Sequence, residues 1–404
     1  MRTGRTVLTH RIELKPNQRQ EALFRQCVGA ARFAYNWALA EWQRQFEAGE
    51  KPHEAALRRQ FNAMKPVEFP WILDLPKSVP QQAIKNVGRA WQRFFQKQSK
   101  FPRFKRRGVQ DSARLDNGPG TFTFEGQRIR LPKIGGVRLR EELRFDGKPL
   151  SATLSREADR WFISIPVEME RPEPVCESQA SVGIDLGVST ALTLSTGEKI
   201  DSPKPLKKHL QRMKRRSRWH SRKQKGSANR DKSARKLAKL HARIAHVRQD
   251  FLHQTTTDLT RRFGLIGIED LNVRGMMAND KLSQAISDIG FYEFRRQLEY
   301  KAALSGGTVV VVDRWFPSSK TCSACGGSCE AMPLSVRQWT CAHCGTEHDR
   351  DVNAALNIER QALATVSWTG SHACGEEGTG RSRKTPVKPA SVKQEITHGL
   401  FVHG

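Results

Sequence analysis

Apolar positions in the first hundred residues recur every three or four places. Thr6–Leu14 suits a strand; Pro16 then opens a stretch in which Phe24, Val28, Ala31, Tyr35 and Leu39 share one face of a helix. A second helix follows Pro80, with Ile84, Val87, Trp91 and Phe94 as its buried stripe and Lys85, Arg89, Arg93 and Lys97 as a basic ridge beside it. That ridge suits phosphates or plain solvation equally. Further on the period becomes two. Ile129 and Leu131, Val137 and Leu139, then Trp161, Ile163, Ile165 and Val167 alternate with polar residues, punctuated by Pro132, Gly135 and Gly136, which predicts a small antiparallel sheet or barrel. Residues 1–15 and 109–175 therefore read as one split β module with a helical insert, 16–108, and Arg171–Ala180 as the linker out of it.

The remainder follows another pattern. SVGIDLGV, ALTLSTG and EKIDSP are short strands in hairpin order, followed by a long basic helical stretch and the fully apolar strand FGLIGIEDL. A helix with Phe291, Phe294 and Leu298 inside comes next, then the strand GGTVVVVDR, then a final helix with Val352, Ala355 and Ile358 on one side. Three hairpin strands, then strand, helix, strand and helix, is the element order of an RNase H-like fold, a mixed sheet covered by helices. It is predicted over 176–317 and 346–366, which makes the chain an α+β multidomain protein. Residues 367–404 are polar and read as a disordered tail.

Charge narrows the class of partner. The chain has 69 Lys+Arg against 41 Asp+Glu, a formal net charge of +28, which implies a polyanion. No amphipathic anchor, signal peptide or transmembrane run is evident, so no membrane partner is expected and the cytoplasm is the default. In that reducing compartment clustered cysteines are metal ligands sooner than disulfides.

Three carboxylates stand where carboxylates are expensive. Asp185 lies within the apolar strand Gly183-Ile184-Asp185-Leu186-Gly187, and Gly187 lets a ligand approach the backbone. Glu269 ends the apolar run Leu265–Ile268, and Asp351 opens the last helix. Singly, such residues are turn formers or helix caps. Converging from three elements of one topology, they make an oxygen site for two hard divalent cations that cleave phosphodiesters. Asp270, Asp313 and Asp349 are neighbours that could be confused with them; Asp349 is the closest rival, kept as a helix cap or as a residue that supports the ligands from behind.

Cys322-x-x-Cys325 and Cys341-x-x-Cys344, with 15 residues between the pairs, have the spacing of two knuckles closing on one structural zinc ion, over about 318–345. Cys329, His343 and His348 read as ordinary loop residues. The basic stretch at about 203–250 carries Lys214, Arg215, Arg216, Arg218, Arg222 and Lys223, a density of one sign that self-repulsion disfavours unless phosphates neutralise it. Leu240, Ile244 and Val247 are its core-facing side. Arg103, Lys105, Arg106 and Arg107, interleaved with Phe101 and Phe104, offer phosphate donors beside stacking surfaces.

GIDLGV, IEDL, SSKTCSACG, CAHCG and DRDVNAALNI, in this order, resemble the TnpB/OrfB proteins of insertion sequences and, more distantly, miniature type V CRISPR nucleases. LKPNQRQEALFRQCVGAARFAYNWAL and SKFPRFKRRG with LPKIGGVRLR extend the likeness to about residue 363. The resemblance implies a wedge domain, an inserted recognition domain and a split RuvC nuclease domain with a zinc ribbon. It implies RNA-guided cutting of double-stranded DNA beside a transposon-adjacent motif, with Mg²⁺ at Asp185, Glu269 and Asp351. The guide RNA would derive from the transposon end, and the element's own transposase would be a further partner. By position in the family, Lys77, Gln81, Gln82 and Thr123 become candidates for reading the adjacent motif. Rival readings are a strand-joining transposase, a nuclease-inactive RNA-guided repressor and a plain zinc-ribbon DNA-binding protein.

Overall fold

The computed structural model describes residues 3–371, apart from 119, 120, 173, 330, 331 and 334. It forms two compact units that divide after Arg171.

The first unit runs β1 (Thr3–Lys15), α1 (Gln18–Glu47), α2 (Glu54–Glu68), a 3-10 turn (Pro70–Asp74), α3 (Ser78–Phe95), β2 (Ser112–Asp116), β3 (Thr123–Glu125), β4 (Arg128–Leu131), β5 (Gly135–Leu139), β6 (Lys148–Pro149), β7 (Ser151–Glu157) and β8 (Arg160–Pro172). Helix α1 starts at Gln18 because Asn17 and Gln20 cap each other's backbone N–H groups, a reciprocal box just after Pro16. Its predicted stripe, Phe24 to Leu39, is buried, and Phe24 meets Trp161 of β8 at 5.1 Å between ring centroids. Eight strands make one sheet in the order β2-β7-β8-β1-β5-β4-β3, with β6 on β8. Ile129, Leu131, Val137, Leu139, Trp161, Ile163, Ile165 and Val167 all point into the core, as the alternation predicts. Helix α2 and the 3-10 turn were not foreseen: Leu57 and Phe61 are the only buried residues of α2, too few to show a period.

The second unit runs β9 (Ser181–Leu186), β10 (Leu192–Leu194), β11 (Lys199–Ile200), α4 (Pro205–Ser221), α5 (Ala228–Arg262), β12 (Leu265–Glu269), α6 (Val273–Met277), α7 (Ser283–Ile289), α8 (Phe291–Ser305), β13 (Thr308–Val312), β14 (Gln338–Thr340), β15 (Glu347–Asp349) and α9 (Arg350–Ser371). Its main sheet has the order β11-β10-β9-β12-β13. Strands β9 to β11 are antiparallel, whereas β12 runs parallel to both β9 and β13, so the sheet is mixed. A second, two-stranded ladder pairs β14 with β15, of which β15 lies past the residue-345 limit expected for the cysteine module. Helix α9 packs over β9 and β12.

The basic stretch is a helical hairpin, α4 and α5, joined through Gly226 at φ +84° and capped by Ser227. Leu240 and Ile244 face inward, but Val247 is 38% exposed; the inner face continues instead through Leu252 and Leu259. Asp288 on α7 anchors the arm, accepting the N–H groups of Leu206 and Lys207 at 2.9 and 3.0 Å, where the first turn of α4 has free donors. Helix α9 reaches Ser371, into the segment expected as a tail; 372–404 lie outside the described residues. Among the described residues no helix is long and apolar enough to cross a membrane.

Candidate functional site

Asp185 and Glu269 come together through strand register. Ile184 pairs with Ile268 in the parallel β9-β12 ladder, so the next residues, Asp185 and Glu269, lie side by side at the same end of the sheet. Asp351, in the first turn of α9, arrives from above. Burial pushes the Asp185 carboxyl up to about 8; the charges of Glu269 and then Asp351 add to the rise, while Arg350 and Arg337 oppose it. Asp185 thus feels both of the other predicted carboxylates. The three are not drawn as tight as a metal would draw them: among the described residues only the four cysteines gather three or more donor atoms within 4.8 Å. Glu269 instead accepts the Ser318 hydroxyl at 2.7 Å, and Asp351 pairs with Arg337 at 3.1 Å. Like charges dispersing onto separate partners account for this spread. A carboxyl raised by desolvation and by two neighbouring carboxylates has the hard-oxygen donor set and the excess negative field that divalent cations fit.

The rival acids have other duties. Asp349 accepts the N–H groups of Asp351 and Val352, the cap of α9, and pairs with Lys199 at 2.7 Å. Asp270 is held by Arg295 and Arg314, and Asp313 accepts the backbone N–H of Trp315. Gly187 lies in a turn where a Cβ would stand 2.6 Å from the Thr190 carbonyl. Sequence reasoning missed Arg337. Nothing periodic marks it, and it meets Asp351 only because the chain before β14 folds back beside α9, where its carbonyl accepts the Arg350 N–H.

The four cysteines meet as the spacing predicts. Cys322 and Cys344 have sulfurs 3.7 Å apart, as do Cys325 and Cys341. A tetrahedron with sulfurs at ~2.3 Å from its centre has edges of ~3.8 Å; these two spacings match it, and all four donors lie within 4.8 Å of one another, a cluster that suits a structural zinc ion. The Thr346 hydroxyl and backbone N–H hold the Cys344 thiol down at about 6, toward the ligating thiolate. His348 is not the loop residue expected: it sits in β15, its ring against Trp339, with Nε2 3.0 Å from the Cys322 sulfur. The cluster is tied to the carboxylates. Asn357 donates to the carbonyls of Ser318 and Thr321, Asn353 donates to Thr321 and accepts from the Ser323 N–H, and both side chains are buried on α9. Ser318, in turn, carries the hydroxyl that holds Glu269.

The basic candidates divide by exposure. Arg103, Arg106 and Arg107 are exposed, whereas Lys105 is half-buried, its ammonium over the Tyr35 ring and its backbone bonded to Asn36. On α4, Lys214, Arg215, Arg218, Arg222 at its end and Lys223 beyond are exposed, but Arg216 turns to the Lys236 carbonyl and bridges the hairpin. Lys77 and Thr123 are exposed and Gln81 half-buried. Gln82 departs from expectation. It is 3% exposed, and its amide donates to Asp116 on β2, so it presents nothing to a base edge.

Three family descriptions match the chain: a "Helix-turn-helix domain" of OrfB_IS605 over residues 6–51, the OrfB_IS605 "Probable transposase" over 164–280, and "Cas12f1-like, TNB domain" over 291–358. A Streptomyces pristinaespiralis protein named "Putative RNA-guided DNA endonuclease" is 40% identical over 387 residues, 94% of each chain. The Escherichia coli K12 protein InsQ, named likewise, is 36% identical and covers 91% of this chain and 93% of its own. A cryo-EM structure of the Cas12f1-sgRNA-target DNA complex shares the fold, with a TM-score of 0.54 at 13% identity over 88% of this chain and 99% of that one.

Proposed function

This chain belongs to the TnpB/OrfB family of insertion-sequence proteins, and from that premise we propose that it is an RNA-guided endonuclease cutting double-stranded DNA beside a short transposon-adjacent motif. The observation that supports the hydrolytic chemistry is Asp185, half-buried within electrostatic reach of Glu269 and Asp351, with its carboxyl raised to about 8. The strand order β11-β10-β9-β12-β13 supports an RNase H-like (RuvC) reading of 176–317 with 346–366, in which a third carboxylate arrives on the last helix. In the same reading 1–15 with 109–175 is the wedge, 16–108 the recognition domain and the cysteine module a zinc ribbon.

Asp185, Glu269 and Asp351 would hold two Mg²⁺ ions. When bound, the pair supplies a deprotonated water and a stabilised leaving oxygen. Ser318 orients Glu269, and Arg337, paired with Asp351, would be available to a phosphate oxygen of the scissile group. Sequence choice is delegated to a guide RNA from the transposon end, while exposed cations such as Arg215, Arg218 and Arg222 hold backbones. Lys77, Gln81 and Thr123 remain candidates for the adjacent motif. The element's transposase is a proposed partner.

The deciding experiment purifies the protein, sequences the RNA that accompanies it, and offers target DNA with Mg²⁺. A discrete RNA with a variable end, and cleavage abolished in Asp185→Ala, Glu269→Ala or Asp351→Ala with RNA binding intact, is the expected result. Joined strands would point to a transposase, and binding without cutting to a repressor.

A further inference from the structure

We propose that Trp315 is a stacking platform for a nucleobase of the unwound strand being cut, positioned beside Glu269 by the loop that follows β13. The proposal rests on the nuclease reading above. At 84% exposure Trp315 is the most exposed large apolar side chain among the described residues. An indole so placed gives up the burial that makes tryptophan worth having, unless something flat covers it.

Its location says what. Val312 is the register partner of Glu269, and the Asp270 N–H donates to the Val312 carbonyl at 3.0 Å. Arg314 forks onto Asp270, and Ser318 donates to Glu269 at 2.7 Å. The loop is thus tied to Glu269 or Asp270 on both sides of Trp315. Three residues span at most ~11 Å, so the Trp315 backbone lies within that distance of both Val312 and Ser318. The loop is braced internally as well: Asp313 accepts the Trp315 N–H on its carboxylate at 2.8 Å and the Phe316 N–H on its carbonyl at 3.1 Å. A solvent-facing ring on a braced backbone therefore stands near the rim of the carboxylate site.

The reaction brings one class of flat, apolar-faced group to that rim. A duplex stacks its own bases, so only an unwound strand can offer a base to the ring. Stacking is indifferent to base identity because every base has a π-face, which suits a site whose sequence choice is made elsewhere. Arg337, exposed and paired with Asp351, is the cation that would meet an adjoining phosphate once that carboxylate is otherwise neutralised.

The test compares wild type with Trp315→Ala, Trp315→Leu and Trp315→Phe, each purified with the RNA it carries, by steady-state cleavage of target DNA. Fluorescence of 2-aminopurine placed near the cut site is read in an Asp185→Ala background. Alanine and leucine should raise KM by about tenfold, leave the melting temperature unchanged and abolish quenching; phenylalanine should restore most of both readouts. Unchanged KM and quenching in Trp315→Ala overturn the proposal while leaving the nuclease intact. A leucine variant equal to wild type also overturns it, in favour of an apolar protein contact. If wild type cuts nothing, the nuclease reading fails, and loss or persistence of quenching still decides whether the ring meets a base.

Discussion

Gly183 and Gly267 are register partners on neighbouring strands, and α9 lies directly on the pair. A Cβ on Gly183 would stand 2.0 Å from the Ala355 carbonyl and 2.4 Å from the Glu359 nitrogen; one on Gly267 would meet the Ala362 Cβ at 2.9 Å and the Ile358 carbonyl at 3.0 Å. Backbone on backbone sets the depth of α9, and with it the height of Asp351 above Asp185. Gly183→Ala should therefore lift the helix, costing on the order of 3 kcal/mol as overpacking, and slow cleavage at least about tenfold. Gly267→Ala should do less, since part of its obstruction is side chain. Thermal melts and single-turnover cutting rates check this; a Gly183→Ala protein matching wild type in both would show that α9 is not seated there.

The cysteine cluster reaches the carboxylates through Ser318, whose carbonyl is held by Asn357 and whose hydroxyl holds Glu269. Cys341→Ser, or removal of the metal by a chelator, should loosen Pro317–Ser323 and leave Glu269 unoriented. We expect one zinc per wild-type chain by atomic spectroscopy and none in the variant. A loss of about 2 kcal/mol would lower the melting temperature by roughly 4–8 °C for a unit of this size. Cleavage should fall with it, whereas a metal-free protein that cuts at the wild-type rate would make the cluster an ornament.

Much of this site is legible before folding, for a physical reason in each case. Strands β9 and β12 are buried on both faces, so they read as apolar runs, and Asp185 and Glu269 stand out as costly exceptions; cysteine spacing is dictated by tetrahedral ligation. What escaped depends on contacts between distant segments. Arg337 meets Asp351 through the fold-back before β14, His348 reaches Cys322 only once β14 and β15 pair, and Gln82 turns inward because Asp116 on β2 awaits it. Gly183 and Gly267 carry no sequence mark of their closeness to α9, because a helix crossing them leaves no local pattern.

The raised Asp185 carboxyl makes a pH prediction whose sign is fixed. Its folded value, about 8, lies above the unfolded value near ~4, so between those limits the folded state keeps a proton that the unfolded chain has shed. Stability from this group is full below ~4 and is lost as pH rises toward 8. Without divalent ions, wild type should lose stability relative to Asp185→Asn between pH 5 and pH 8, the difference cancelling all other titrations. Mg²⁺, competing with that proton, should restore stability at pH 8 and do little at pH 5. Parallel melting curves for the two proteins across that range, with and without Mg²⁺, would remove the charge cluster around Asp185.

The basic hairpin separates electrostatic from structural arginines. Arg215, Arg218 and Arg222 are exposed, while Arg216 spends its guanidinium on the Lys236 carbonyl and Asp288 fixes the start of α4. Each phosphate contact contributes about 0.7–0.9 to the slope of log affinity against log salt. Replacing Arg215, Arg218 and Arg222 together by alanine should then lower the slope for RNA or DNA by about 2–3 and leave the melting temperature in place. Asp288→Ala, which strips a buried acceptor from two backbone donors and from Arg248, should instead destabilise the protein by about 1–3 kcal/mol. Its salt slope should stay the same wherever the protein remains folded. Salt titrations of binding and melts on the two variants distinguish these roles; a triple variant whose slope equals that of wild type would place the nucleic acid on another face.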